Sequence, residues 1–153
     1  MRVVNRRIIA DIHSGLFLTL FYGVLDPDTG ALVYCNAGHP APLIFLPGAD
    51  QAVAALPRTG MPLGIAEDSE WAPAYAEIPP GALTLLYTDG ISEAQNRSGE
   101  LFGEEQIRSY IQTVRESPAR EIQDGLISAV FAFAGSQPQV DDITLVALSR
   151  DPF

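Results

Sequence analysis

The chain is poor in cysteine, in positive charge and in long apolar runs, and each shortage removes a class of function. Its single cysteine, Cys35, cannot close an internal disulfide, and a lone thiol without a neighbouring partner reads as a small buried hydrophobe rather than a nucleophile. Nine Lys and Arg against nineteen Asp and Glu leave a formal charge of -10. Such a surface has no general attraction for phosphate backbones or anionic lipid, so neither nucleic acid nor membrane is an expected partner. At the start, Asn5, Arg6, Arg7 and Asp11 interrupt every stretch that would serve as a signal core or a membrane span, and a cytoplasmic protein is the expectation. Repeats and low-complexity tracts are also lacking.

What is there is a globular balance. Hydrophobic residues make up 47% and charged residues 18% of 153 residues, enough apolar surface to offset ordering entropy in one domain. We expect a single domain over residues 1–153. Val4, Ile8, Ile9 and Ile12 fall at helical spacing, with Asn5, Arg6 and Asp11 elsewhere on the wheel, which predicts a short amphipathic helix ending near His13-Ser14-Gly15. Phe17 to Leu25 and Ala31 to Asn36 read as strands of a hairpin around Asp26-Pro27-Asp28-Thr29-Gly30. A short strand follows at Leu43 to Leu46. Residues 47–72 read as a loop-rich excursion, with a short strand at Ala52 to Leu56.

Ala74 to Ile78 is a further strand, and Ala82 to Tyr87 reads as a buried strand ending at Thr88-Asp89-Gly90. In Glu104 to Arg115, Ile107, Tyr110, Ile111 and Val114 make one apolar stripe. Ser117 reads as an N-cap with Pro118 in the first helical position, opening a helix through Phe133 with Ile122, Leu126, Val130, Ile127 and Phe131 inward and Gly135 as its stop. The last strand, Ile143 to Leu148, is introduced by Asp141-Asp142.

An aspartate followed by glycine at the end of a buried strand can present its carboxylate out of the sheet while the glycine admits close approach. Mg²⁺ and Mn²⁺ want oxygen ligands of this kind. Taken alone, Asp89-Gly90 is equally a turn, and Asp141-Asp142 equally a solvated strand cap. The series Phe17-Leu18-Thr19-Leu20-Phe21-Tyr22, Asn36-Ala37-Gly38-His39-Pro40, Gly60-Met61-Pro62-Leu63-Gly64, Tyr87-Thr88-Asp89-Gly90-Ile91-Ser92-Glu93-Ala94, Leu101-Phe102-Gly103 and Asp141-Asp142-Ile143-Thr144 is more specific. In that order these segments resemble the PPM-type metal-dependent serine/threonine phosphatases, in their bacterial SpoIIE-like and RsbU-like branch.

The resemblance implies an α+β fold, an αββα sandwich of two antiparallel sheets flanked by helices, with a centre of two Mn²⁺ or Mg²⁺ ions that activates water for in-line attack on phosphorus. It assigns metal ligation and catalysis to Asp89, with Gly90 at the turn, and to Asp141. Asp142, next to a ligand, reads as support for the turn. Glu93 is either a ligand of a peripheral metal or a solvated loop carboxylate, and His39 either approaches the site or is structural. The absence of a convincing Ser-His-Asp or Cys-His arrangement agrees with a mechanism that has no covalent nucleophile.

The family's opening Gly-Asp-x-x-Asp-like and Asp-x-Ser-Gly-His-Gly-like segments are not in this sequence. Asp11-Ile12-His13-Ser14-Gly15 resembles the second only superficially, because it runs straight into the Phe17 strand. The expected domain is therefore N-terminally incomplete and its metal centre short of a bridging carboxylate. Unpaired strand edges would favour a homodimer or larger assembly. The implied activity is dephosphorylation of phosphoserine or phosphothreonine on a regulatory protein, of the anti-sigma-factor-antagonist type in partner switching. The alternatives are a catalytically inactive interaction module built on the same fold, and a small-molecule phosphohydrolase.

Overall fold

The computed structural model describes residues 1–11, 15–48 and 53–152. In chain order its elements are α1 (Arg2–Asp11), β1 (Leu20–Leu25), β2 (Ala31–Ala37), β3 (Leu43–Phe45), β4 (Val53–Ala55), β5 (Ala74–Glu77), β6 (Leu83–Tyr87), α2 (Asp89–Ser92), α3 (Gly103–Val114), α4 (Ala119–Ala134) and β7 (Leu145–Ser149). They form two antiparallel sheets with helices, an α+β architecture, in two compact units each made from two stretches of chain.

The first unit holds residues 1–41 and 55–78 and the sheet β1-β2-β5. The β1–β2 hairpin closes because the Asp26 carboxylate accepts the amides of Asp28 at 2.9 Å and Thr29 at 3.2 Å, while Gly30 takes φ 78°. Strand β1 begins at Leu20 rather than Phe17. Leu18 instead exchanges two backbone hydrogen bonds with Leu63, at 2.9 and 2.8 Å, and pairs with the loop. One sheet face buries Leu32, Tyr34 and Asn36, with Phe21 stacked on Tyr34 at 5.3 Å. The other face leaves Tyr22, Val24, Val33 and Tyr75 exposed, and Cys35 is half-buried rather than buried, its thiol donating to the Ala72 carbonyl at 3.5 Å.

Helix α1 keeps part of the expected wheel, with Ile8 and Ile9 half-buried on the face that carries Asn5. Val3 and Val4 are exposed, and Asn5 is its one buried residue. The Asn5 amide donates to the Ala66 carbonyl at 2.9 Å, and its oxygen accepts the Gly64 amide at 2.8 Å. A buried amide satisfied at both ends outweighs the apolar stripe as an anchor. Ile12, expected inward, and the His13-Ser14 helix end lie outside the described residues.

The motif segments of this unit hold one another in place. A side chain at Gly38, which has φ 80°, would collide with the Pro62 ring, and Asn36 donates from its side chain to the Leu56 carbonyl at 3.2 Å. The Asn36 amide also reaches the Thr59 hydroxyl at 3.0 Å.

The second unit holds residues 42–54 and 79–153 and the sheet β4-β3-β6-β7. The expected strand at Ala52 to Leu56 is β4, over Val53–Ala55, with Ala52 outside the described residues. Leu43, Leu85, Ile91, Ile107, Ile111, Ile122, Leu126 and Val130 form the core, each at most 1% exposed. Removing one such leucine to alanine costs roughly 2–5 kcal/mol.

On α3, Ile107 and Ile111 are buried while Tyr110 and Val114 pack at the margin. Helix α4 begins one residue later than expected. Pro118 is the N-cap, with ψ 143°, and Ser117 closes the preceding turn by donating its amide to the Val114 carbonyl at 2.8 Å. Phe131, expected inward, is 50% exposed, and Gly135 ends the helix at φ 63°. Strand β7 starts at Leu145, two residues later than expected. Among the described residues no helix is long and apolar enough to cross a membrane.

Candidate functional site

Strand β6 is buried along almost its whole length, and its end fixes where Thr88 emerges. Thr88 is the N-cap of α2 with φ −84° and ψ 159°, yet its hydroxyl does not cap the helix. It donates to the Asp142 carbonyl at 2.8 Å and accepts the Thr144 amide at 2.9 Å, and the Thr88 amide donates to the Thr144 carbonyl at 3.1 Å. These three bonds tie the Thr88-Asp89-Gly90 turn to the Asp141-Asp142 segment, which lies more than fifty residues on in the chain.

Asp89 therefore opens a one-turn helix rather than sitting in a simple turn. Its side chain is exposed, and Oδ1 accepts the Gly90 amide at 3.1 Å. Ile91, fully buried, anchors the turn in the core below. Gly90 is required by contact rather than by backbone conformation. A Cβ there would collide with the Asp142 carbonyl oxygen and lie 3.1 Å from the Asp141 carbonyl oxygen.

Asp141 is also exposed, and its Oδ1 accepts the Asp142 amide at 2.7 Å. Its carbonyl accepts from the Gln139 side chain at 2.8 Å. Asp142 contributes its backbone carbonyl to the Thr88 bond. Glu93 is the exposed C-cap of α2. His39 belongs to the first unit, where it is half-buried with Nδ1 3.5 Å from the Thr19 hydroxyl.

The structure thus brings Asp89, Gly90, Asp141 and Asp142 onto two adjoining segments. Both aspartates use one oxygen to order their own turn and keep the other available to a ligand. Among the described residues no group of three or more His, Cys, Asp or Glu is arranged to hold a metal. Two exposed carboxylates on joined turns fit a hard cation held as Mg²⁺ commonly is, by one or two carboxylates with water completing the shell. Sequence reasoning missed the Thr88 hydroxyl as the joint, although the residue stands inside the quoted motif.

It also missed a cleft of about 130 Å³ lined by Gly90, Glu93, Val130, Phe131, Val140 and Asp141, among others. Its walls come from two stretches of chain, residues 90–95 and 130–143, which is why no local pattern announces it.

Tyr87, the last residue of β6, is buried, and its hydroxyl lies 3.5 Å from Glu104 Oε2. Burial, reinforced by the Glu104 carboxylate, pushes its pKa up to about 12.

Comparison with known proteins sets this geometry in a family. Protein IcfG from Synechocystis is 32% identical over 145 residues, covering 94% of this chain and 22% of IcfG. Phosphoserine phosphatase RsbU from Bacillus subtilis is 25% identical over 150 residues, covering 98% of this chain and 44% of RsbU. The chain spans less than half the length of either relative.

The solved SiaA-PP2C domain of Pseudomonas aeruginosa superposes with a TM-score of 0.78 at 19% identity, covering 98% of this chain and 58% of that one. The manganese-soaked phosphatase domain of Bacillus subtilis SpoIIE gives 0.66 at 18% identity, over 87% of this chain and 56% of that one. The two antiparallel sheets with helices are the PP2C fold. The profile of the family described as Stage II sporulation protein E (SpoIIE) matches residues 1–151, and the chain belongs to that family, the SpoIIE/RsbU-like branch of the PPM-type phosphatases.

Proposed function

We propose that this chain is the metal-binding part of a protein serine/threonine phosphatase that hydrolyses phosphoserine or phosphothreonine on a regulatory protein, in a cytoplasmic partner-switching pathway of the anti-sigma-factor-antagonist type. The observation that carries the reading is the Thr88 joint, which couples the Asp89 turn to the Asp141 turn in a chain of this family. Asp89 and Asp141 would hold a divalent cation, Mn²⁺ or Mg²⁺. Such a cation, when bound, supplies charge neutralisation for a phosphoryl group and acidifies water. The chain's own contribution is to fix the two carboxylates relative to each other through Thr88 and the close approach at Gly90.

The test is Mn²⁺-dependent phosphate release from a phosphoserine peptide, with p-nitrophenyl phosphate as a second substrate. Activity that is abolished in Asp89→Asn supports the reading, and no release with either substrate in Mn²⁺ or Mg²⁺ refutes it for this chain. A second reading, an inactive interaction module, is favoured by the lack of a three-ligand cluster among the described residues. It predicts no specific Mn²⁺ binding in calorimetry, so saturable binding that Asp141→Asn removes would discard it.

Self-association belongs to the same proposal. Tyr22, Val24, Val33 and Tyr75 expose one apolar face of a three-stranded sheet, an arrangement that a second copy of the chain would cover. Light scattering after size exclusion should give a dimer or larger species at micromolar concentration, and a clean monomer would contradict it.

A further inference from the structure

We propose that the cleft beside Asp141 is a docking site for an aliphatic side chain flanking the phosphorylated residue of the substrate. The proposal rests on the phosphatase reading above and adds to it the chemistry of the substrate. Gly90 and Asp141 belong both to the candidate metal turns and to the cleft lining, so the cleft adjoins the turns that would hold the cation.

Away from those two residues the lining is mixed, with Val130, Phe131, Val140 and Ile143 supplying apolar surface beside Glu93 and three glutamines. Val130 is 1% exposed at its base, whereas Phe131 is 50% and Val140 80% exposed at its walls. Phe131 follows a fully packed position of α4, and its ring faces outward where the helix is about to end. An exposed aromatic beside a buried valine offers apolar area that gains from being covered.

Size and charge narrow the occupant. A cleft of about 130 Å³ is comparable to the roughly 150 Å³ cavity that accommodates one benzene molecule, so it suits a single Val, Leu or Ile side chain. Glu93 and Asp141 place carboxylates in its lining, which disfavours an acidic residue. The walls are also held in place before any ligand arrives. Arg97 donates to the Ser136 hydroxyl at 2.9 Å and 3.2 Å, Gln137 donates its amide to the Ala134 carbonyl at 3.2 Å, and Gln139 ties back to Asp141 at 2.8 Å. A preformed wall avoids the ordering cost that a loose loop would charge against binding.

The experiment measures equilibrium binding of fluorescein-labelled peptides by anisotropy, in Mn²⁺, with phosphonomethyl-alanine as a non-hydrolysable phosphoserine. One peptide carries leucine and the other serine at the positions flanking the phosphonate. The leucine peptide should bind about tenfold more tightly, the worth of largely burying one aliphatic side chain. Ala134→Leu, which fills the cleft, and Phe131→Ala, which removes a wall, should each erase that preference while leaving the serine peptide's Kd unchanged.

Equal Kd values for the two peptides, or a preference that survives in both variants, overturns the proposal. A leucine preference erased by both variants, in a chain that releases no phosphate from any substrate, upholds the docking cleft and refutes the phosphatase reading. Turnover of p-nitrophenyl phosphate without any leucine preference does the reverse.

Discussion

Gly90→Ala is the substitution that most directly probes the joint between the two aspartate turns. Gly90 carries no positive φ, so alanine meets no backbone penalty there. The obstacle is packing. The new methyl would collide with the Asp142 carbonyl oxygen, and its neighbours would include the Asp142 carbonyl carbon at 2.9 Å and the Asp141 carbonyl oxygen at 3.1 Å. These are backbone atoms, held in place by the Thr88 hydroxyl, and they cannot swing aside as a side chain would.

Overpacking of this kind costs roughly 1–3 kcal/mol, offset by about 0.5–1 kcal/mol because alanine loses less entropy than glycine on folding. The net loss of about 1–2 kcal/mol corresponds to a fall in melting temperature of roughly 2–8 °C for a chain of this size. The more telling effect is on metal. If Asp89 and Asp141 hold the cation as proposed, pushing the Asp141-Asp142 segment off the turn separates the two carboxylates, so Mn²⁺ affinity in calorimetry should fall at least about tenfold, as it does when groups supporting a metal ligand are removed. Gly99→Ala is the control. That residue has φ 80° and nothing within 4 Å of an added Cβ, so it should lose roughly 1–2 kcal/mol through backbone strain alone and keep its Mn²⁺ affinity. If Gly90→Ala melts like the unaltered chain and binds Mn²⁺ equally well, the joint does not control the site.

Asn5→Ala should destabilise by roughly 1–3 kcal/mol, because it strands the Gly64 amide while the Ala66 carbonyl keeps the Ser69 hydroxyl at 2.8 Å, and urea unfolding read by circular dichroism checks it. Tyr87 predicts a pH limb. Its pKa is raised from 10.0 to about 12, so the native state retains a proton that the unfolded state loses between those values. Its contribution is fully present below pH 10 and disappears as pH rises towards 12, a loss of roughly 2–3 kcal/mol. In Tyr87→Phe, urea midpoints between pH 9.5 and 12 should fall less steeply by that amount, and parallel curves for the two proteins would refute the assignment.

Local signals served the sequence reading well wherever the structure is itself local. The β1–β2 hairpin was legible because Asp26 and Gly30 settle the turn among themselves, and the stripe at Ile107 and Ile111 was legible because α3 has one core to face. Helix α1 was legible in part, at Ile8 and Ile9, but not its anchor, which is a pair of hydrogen bonds from Asn5 to residues about sixty positions away. Phe131 misled for a related reason. Ile122, Leu126 and Val130 continue one stripe at four-residue spacing, and Phe131 stands one step around the helix from it, at the margin of what the core can cover. In β1 nearly every residue is apolar, so alternation could not say that Phe21 would turn inward and Tyr22 outward.

The candidate site falls between these cases, and strand register explains why. Asp89 is placed by the end of β6, which the apolar run Leu83 to Tyr87 announces, but nothing local to Asp141 says where it will lie. That is decided by the pairing of β6 with β7, in which Tyr87 stands opposite Leu145 and the next pair outward is Thr88 with Thr144. The Thr88 hydroxyl then spans from the Thr144 amide to the Asp142 carbonyl, extending the ladder past the sheet and into the acidic segment. A slip of one residue would turn the side chains of β7 to the opposite face and remove both hydroxyl bonds together. Core packing of Leu145 and Ala147 therefore does more than stabilise a strand, because the same register that buries Leu145 decides whether Asp141 arrives beside Asp89. The acidic pair is thus specified by apolar residues that never touch a ligand.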